Sequence, residues 1–190
     1  SSGYDGISSK LLKHCIDELC TPLTIIFNKS FDQGQFPSGW KVSKVYPKLK
    51  NVCPATASNY RPISLVSTFS KLCEKVILKR LLTYCSEHNL LTNTQHGFTK
   101  GKSTTTAMIK LIETVIDDLE ARNLSTALFL DFSKAFDCLS HNLIITKLEA
   151  LGISGKAKEW FKSYLTERHQ LVELQQTSKG VKTNIQSNTL

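Results

Sequence analysis

This 190-residue chain has no apolar run close to the roughly 18 residues that span a bilayer, and its start, SSGYDGISSK, is too polar for a secretory leader. It has one methionine, Met108, opens on Ser1 and ends Thr183-Asn-Ile-Gln-Ser-Asn-Thr-Leu190 without an obvious terminator, so a fragment at both ends is expected. Its six cysteines (Cys15, Cys20, Cys53, Cys73, Cys85 and Cys138) make no Cys-x-x-Cys pair and no metal spacing. That argues against a zinc module and for free, partly buried thiols in a reducing compartment. No repeat or low-complexity linker breaks the chain, which is long enough for one domain, or for one domain and part of another. Acids are also short: 16 Asp and Glu stand against 24 Lys and Arg, a formal charge of +8. Such a balance favours polyanionic partners. The excess is local, since Lys41, Lys44, Lys48 and Lys50 fall within ten residues that hold no acid.

Hydrophobic periodicity predicts a mostly helical α+β chain. Ser8 or Ser9 caps a helix with Leu11, Leu12, Cys15, Ile16 and Leu19 on one face, and Thr21-Pro22 reads as the start of a second, ended by Gly34. KVSKVYPKLK, residues 41–50, has strand character, with Pro47 suited to an edge or a bulge. Pro62 precedes an amphipathic helix whose stripe begins at Val66 and runs through Phe69, Cys73, Val76 and Ile77 to Tyr84. Ser103, Ser140 and Ser154 cap three further helices. Thr126–Phe132 reads as a buried strand, and residues 170–186 as a hairpin turning at Ser178-Lys179-Gly180.

QHGFTKGKST, residues 95–104, suggests a phosphate loop. A Walker loop needs four residues between its glycines and a buried strand before them. Here three residues separate Gly97 from Gly101, and a polar connector, Glu87–Thr94, precedes them. An ATPase loop fails both tests. What survives is a pair of lysines, Lys100 and Lys102, beside a helix N-terminus, where unpaired N–H groups and the helix dipole favour anions.

LFLDFSKAFD, residues 128–137, delivers Asp131 at the end of an apolar run. Three chemistries use such an acid. A phosphatase of the haloacid dehalogenase type needs a second Asp two residues on, where Ser133 stands. A structural acid can cap the next turn. A two-metal nucleotidyl transferase holds Mg²⁺ with the carboxylate and an adjacent carbonyl. Asp131 alone does not choose among them.

The order of the blocks does. Asn59-Tyr-Arg-Pro-Ile-Ser-Leu65, the helix over 66–85, Gln95–Thr104, Ala127–Asp137 and Ser163-Tyr-Leu-Thr-Glu-Arg168, with Phe36-Pro-Ser-Gly-Trp-Lys41 upstream, resemble the reverse transcriptase of non-LTR (LINE-type, jockey-like) retrotransposons over nearly the whole chain. The resemblance implies a right-hand polymerase, with fingers and an N-terminal extension over 1–123 and an incomplete, ferredoxin-like palm over 124–190. It implies an intracellular enzyme, an RNA template, a DNA primer, deoxynucleoside triphosphates, Mg²⁺ and no membrane. Residue by residue, Arg61 matches the arginine that clamps the triphosphate, with Lys48 or Lys50 as a second basic contact. Phe98, Lys100 and Lys102 match the block that holds the template. Asp131 matches the first catalytic aspartate, with the Phe132 carbonyl beside it. Lys134 and Ala135 supply backbone N–H groups toward the triphosphate, and Phe136 matches the residue that excludes a 2′-hydroxyl. A guanidinium suits a triphosphate better than an ammonium because its forked donors meet two oxygens at once.

The family's second acidic motif, Tyr or Phe-Ala-Asp-Asp, and its Gly-x-Pro-Gln-Gly stretch are not in these 190 residues. Asp117-Asp118 precede Asp131 instead of following it and continue a helix, so they read as solvated helix acids; Asp137 reads as a turn acid. One carboxylate does not position two Mg²⁺ ions. A cut-down polymerase is therefore the leading expectation, a non-catalytic nucleic-acid-binding relic the second and a P-loop nucleotidase a remote third. A bare apolar half-palm would also favour self-association. The polymerase reading requires that Asp131 not be sealed in the core.

Overall fold

The computed structural model describes residues 2–50, 56, 59–132, 135–136, 138–178 and 181–187. The chain divides into two compact units, Ser1–Lys79 with Ser140–Leu190, and Arg80–Leu139.

The first unit begins with helices α1, Ser9–His14, and α2, Ile16–Gln33. The Ser8 hydroxyl accepts the Leu11 N–H at 3.2 Å, closing the N-terminus of α1. The helix start expected at Thr21-Pro22 does not form. The break falls at Cys15 instead, and Pro22 lies inside α2. A proline costs an interior helix one hydrogen bond, here the one Glu18 would accept, and adds a clash with that turn. Burial of Leu23 beside it, and of Phe27 and Ser30 in the next two turns, outweighs it. Gly34 ends α2 at φ 64°, and a Cβ there would come within 2.9 Å of Glu159 Cβ. Both the left-handed turn and the close approach require glycine.

A four-stranded sheet follows, in the order β2-β1-β3-β4. Strand β1, Val42–Leu49, pairs antiparallel with β2, Tyr60–Val66, and parallel with β3, His169–Ser178. Strand β3 pairs in turn with β4, Val181–Gln186, so the expected hairpin strands form; their turn, 179–180, lies outside the described residues. Strand β2 is a correction to the sequence reading, which ran this stretch into a helix. Val66 belongs to β2, and helix α3 begins at Thr68 and ends at Glu87. Pro47 stands opposite Pro62, so neither contributes an N–H to the ladder there. This is tolerated because β3 pairs β1 only over Val42–Val45, which leaves Pro47 on a free edge. Lys44 Nζ meets Glu173 Oε2 at 3.0 Å and ties β1 to β3 in register, with both side chains largely buried.

The core of this unit is aromatic. Trp160, on α6 (Gly155–Leu165), is 2% exposed and packs with Leu12, Leu23, Phe27, Phe36 and Cys73. Its ring lies edge-on to Phe36 and Phe161 and stacks on Tyr164 with 2° between the planes. Its indole N–H donates to Ser30 Oγ at 2.9 Å, and that hydroxyl donates to the Gln35 carbonyl at 2.5 Å, so the buried polar atoms are satisfied. Helix α5, His141–Ala150, packs beside α6, joined by the Lys158–Glu149 pair at 2.7 Å.

The second unit holds the end of α3 and helix α4, Thr104–Glu120. Ser103 caps α4 as expected: its hydroxyl accepts the Thr106 N–H, and Thr106 Oγ1 accepts the Ser103 N–H. The α4 stripe is poorly covered, with Met108, Ile112, Ile116 and Leu119 all exposed. The strand expected over Thr126–Phe132 does not form. Residues 123–132 are irregular, and Leu128, Phe129, Leu130 and Phe132 are each at least three-quarters or so exposed. An isolated strand leaves its N–H and C=O groups without a ladder, and among the described residues of this unit no strand lies beside it. The α+β class holds: helices with one small mixed sheet.

Candidate nucleotide and template sites

Each unit carries its own group of candidate residues. In the first unit, β1 and β2 set Lys48 directly opposite Arg61, both exposed, and the Lys50 N–H closes the pairing by donating to the Asn59 carbonyl at 2.7 Å. Directly opposed residues of an antiparallel pair project from one face, and like charges there disfavour the sheet. The strand pair thus concentrates positive charge where an anion would relieve it. Residues 51–55 and 57–58 lie outside the described residues. Sequence reasoning had both cations but not their facing positions, because β2 was missed. The signal was present: Tyr60, Ile63, Leu65 and Val66 supply β-formers, masked by Pro62.

In the second unit, the stretch before α4 is a series of turns. Phe98 takes φ 58° and Gly101 φ 80°. The left-handed region is unfavourable for a phenylalanine by roughly 1–2 kcal/mol, and this residue is 94% exposed. That ring meets Phe136 edge-on, with centroids 5.8 Å apart and planes at 88°. Two candidate residues 38 positions apart in sequence therefore touch. Nothing in the local pattern of either announces the contact. Ala135 and Phe136 are exposed beside it, while Lys134 lies outside the described residues, as do Ser133 and Asp137.

The two lysines of the turn differ. Lys100 is exposed, whereas Lys102 is folded back, its ammonium donating to the Asn93 carbonyl. His96 Nδ1 lies 2.9 Å from Thr106 Oγ1 and anchors the turn to the first turn of α4. Lys102 thus braces the loop, a use its spacing did not reveal.

Asp131 is exposed, and its backbone neighbour Phe132 is 77% exposed. It is not sealed in a core, so the condition that would exclude a metal-binding role is not met; nor does a strand hold it. Among the described residues no group of three His, Cys, Asp or Glu side chains could hold a metal ion. A single exposed carboxylate does not fit a Mg²⁺ pair, which asks for several oxygen ligands. Asp117 is exposed on α4, and Asp118 Oδ2 accepts the Ser125 hydroxyl at 2.6 Å just beyond the helix end. No described helix is long and apolar enough to cross a membrane.

Comparison with known proteins adds an independent finding. Residues 46–186 match the family described as Reverse transcriptase (RNA-dependent DNA polymerase). The chain is 30% identical over 175 residues to a probable RNA-directed DNA polymerase from transposon BS of Drosophila melanogaster, covering 92% of this chain and 19% of that protein. It is 29% identical over 175 residues to the RNA-directed DNA polymerase from mobile element jockey of the same species, covering 87% and 18% respectively. A probable RNA-directed DNA polymerase from transposon X-element, also of that species, is 28% identical over 140 residues, 73% of this chain and 15% of the relative. The chain spans less than a fifth of the length of these relatives.

Proposed function

Because the chain belongs to the reverse transcriptase (RNA-dependent DNA polymerase) family, we propose that it forms the fingers and the first half of the palm of a right-hand polymerase from a non-LTR retrotransposon. Residues 1–123 are the fingers and their extension, and 124–190 the incomplete palm. The substrates are an RNA template, a DNA primer and deoxynucleoside triphosphates. The observation that carries the reading is the family match over 46–186, which contains Arg61, the 95–104 turns and Asp131 in one continuous span.

Within that reading each residue type has a physical task. Arg61 and Lys48, opposed across β1 and β2, neutralise the triphosphate of the incoming nucleotide; phosphoryl transfer depends mostly on positioning and charge neutralisation. Lys50 adds to the charge of that strand pair, and the task the family resemblance gives Lys134 and Ala135 is to offer backbone N–H groups to the triphosphate. Phe98 offers an exposed ring for a template base to stack on, with Lys100 at the backbone and Lys102 bracing the turn. Phe136, against Phe98, limits the space beside the sugar by volume. Asp131 is the carboxylate this chain contributes to the reacting centre. The set is short of the acids that Mg²⁺ asks for, so no chemical step is assigned to these 190 residues alone.

The test is a paired assay on the 190-residue chain. Primer extension with Mg²⁺ or Mn²⁺ should give no template-dependent synthesis. Equilibrium binding of a deoxynucleoside triphosphate should weaken about tenfold or more in Arg61→Ala, the scale of one charged hydrogen-bonding partner. Binding indifferent to Arg61 would sink the nucleotide-site assignment, and template-dependent synthesis by the isolated chain would overturn the claim that its acids are too few for the chemistry.

A further inference from the structure

Lys41 is an unusual lysine. It directly precedes β1, its side chain is 7% exposed, and the one carboxylate in ion-pair reach among the described residues is Glu167 Oε2, at 3.8 Å. That is beyond hydrogen-bonding distance, and Glu167 is itself 85% exposed, so it gives weak compensation. A buried ammonium is costly unless it is closely paired. The side chain lines a cavity of about 680 Å³ between α2 and α6, within the first unit and far along the chain from Asp131. The volume falls in the range of small-molecule sites.

The other charges of the cavity do not cancel it. Lys29 of α2 and Lys162 of α6 stand on its wall with Lys41, against Glu159 and Glu167. Glu159 is already held by Lys156 at 3.1 Å. Three cations then face one loosely engaged carboxylate. The wall also carries the amide of Gln35 and the hydroxyl of Ser38 as donors. The Ser30 and Thr166 hydroxyls are committed elsewhere, donating to the Gln35 and Lys162 carbonyls, while the Ser163 hydroxyl accepts the Phe36 N–H at 3.0 Å.

We infer that this cavity is a binding site for a doubly charged oxyanion, a phosphate group, seated on the Lys41 ammonium with Lys29 and Lys162 at its rim. Glu167 is the internal competitor that the anion displaces. Nothing in the proposed polymerase role uses this cavity, and the inference stands apart from that role.

The experiment titrates inorganic phosphate into the 190-residue chain, replacing chloride at constant ionic strength and following backbone amide resonances. Saturable shifts at Gln35, Ser38, Lys41 and Ser163 are expected. Lys41→Met, which keeps the apolar stem, should weaken binding at least about tenfold, the scale of a charged hydrogen bond. Lys162→Gln should weaken it several-fold, and Glu167→Gln should tighten it, because the competing carboxylate is gone. Shifts that do not saturate, or that centre on residues 80–139, would overturn the site. So would affinity unchanged in Lys41→Met or Lys162→Gln. If Lys41→Met does not fold, Glu167→Gln decides: weaker or unaltered binding refutes the proposal.

Discussion

Lys48→Glu separates what the sheet prefers from what the proposed nucleotide site requires. Lys48 and Arg61 are directly opposed on an exposed face of β1 and β2. With charges roughly 6 Å apart in a water-like dielectric, their repulsion is about 0.7 kcal/mol. A glutamate replaces that repulsion with an attraction of similar size, a gain of about 1.4 kcal/mol at low salt. For a chain of this length that raises Tm by about 3–6 °C. The gain should vanish in 1 M salt, where the screening length is about 3 Å. Binding of a deoxynucleoside triphosphate should meanwhile fall, since one of its two facing cations has changed sign. Urea unfolding at 20 mM and 1 M NaCl, with nucleotide titration at the lower salt, measures both. A variant that is less stable at low salt, or that binds triphosphate as well as the parent, refutes the opposed-cation argument.

Other outcomes follow from the same geometry. Trp160→Phe loses the Ser30 hydrogen bond and some ring volume, and should cost about 1.5–3 kcal/mol in urea unfolding; a cost under about 0.5 kcal/mol would contradict the placement of Trp160 at the core. The Cys73 thiol is pushed up from 9.0 to about 11, first by burial and second by the Glu74 charge. The unfolded chain therefore releases this proton at lower pH than the folded one, so stability is full below pH 9 and declines between pH 9 and 11. The decline is on the order of 1–3 kcal/mol, and Cys73→Ala should flatten it. Binding of single-stranded RNA should weaken steeply between 50 and 200 mM salt, as expected where lysines displace counterions from phosphates; salt-insensitive binding would argue against the basic faces.

The sequence was most legible where local chemistry sufficed. Ser103 and Gly34 ended their helices as their side chains, or lack of one, demand. Strand β1 was visible from its strand character and the hairpin over 170–186 as an alternating pattern. Strand β2 was hidden by Pro62, whose missing N–H is tolerated because β2 lies at the edge of the sheet, a tertiary fact. Pro22 misled in the opposite direction, because burial of Leu23 and Phe27 outweighed the local preference. At the candidate site the residue types were readable, but their partners were not. The Lys48–Arg61 opposition, the Phe98–Phe136 contact and the tether of Lys102 to Asn93 all depend on where the backbone places distant positions. The apolar run before Asp131 has strand composition without a strand beside it, so pattern alone overstated its order. Lys41 looked like one of four equivalent lysines, and only its burial sets it apart.

The most direct test of the central claim grafts residues 46–186 into the matching segment of the Drosophila melanogaster jockey-element polymerase and measures RNA-templated primer extension with Mg²⁺. The account predicts extension by the graft and a loss of at least about a thousandfold on Asp131→Asn, as expected for a carboxylate at the reacting centre. Asp117→Asn with Asp118→Asn should leave the rate within a few-fold. Extension that survives Asp131→Asn within tenfold would contradict it.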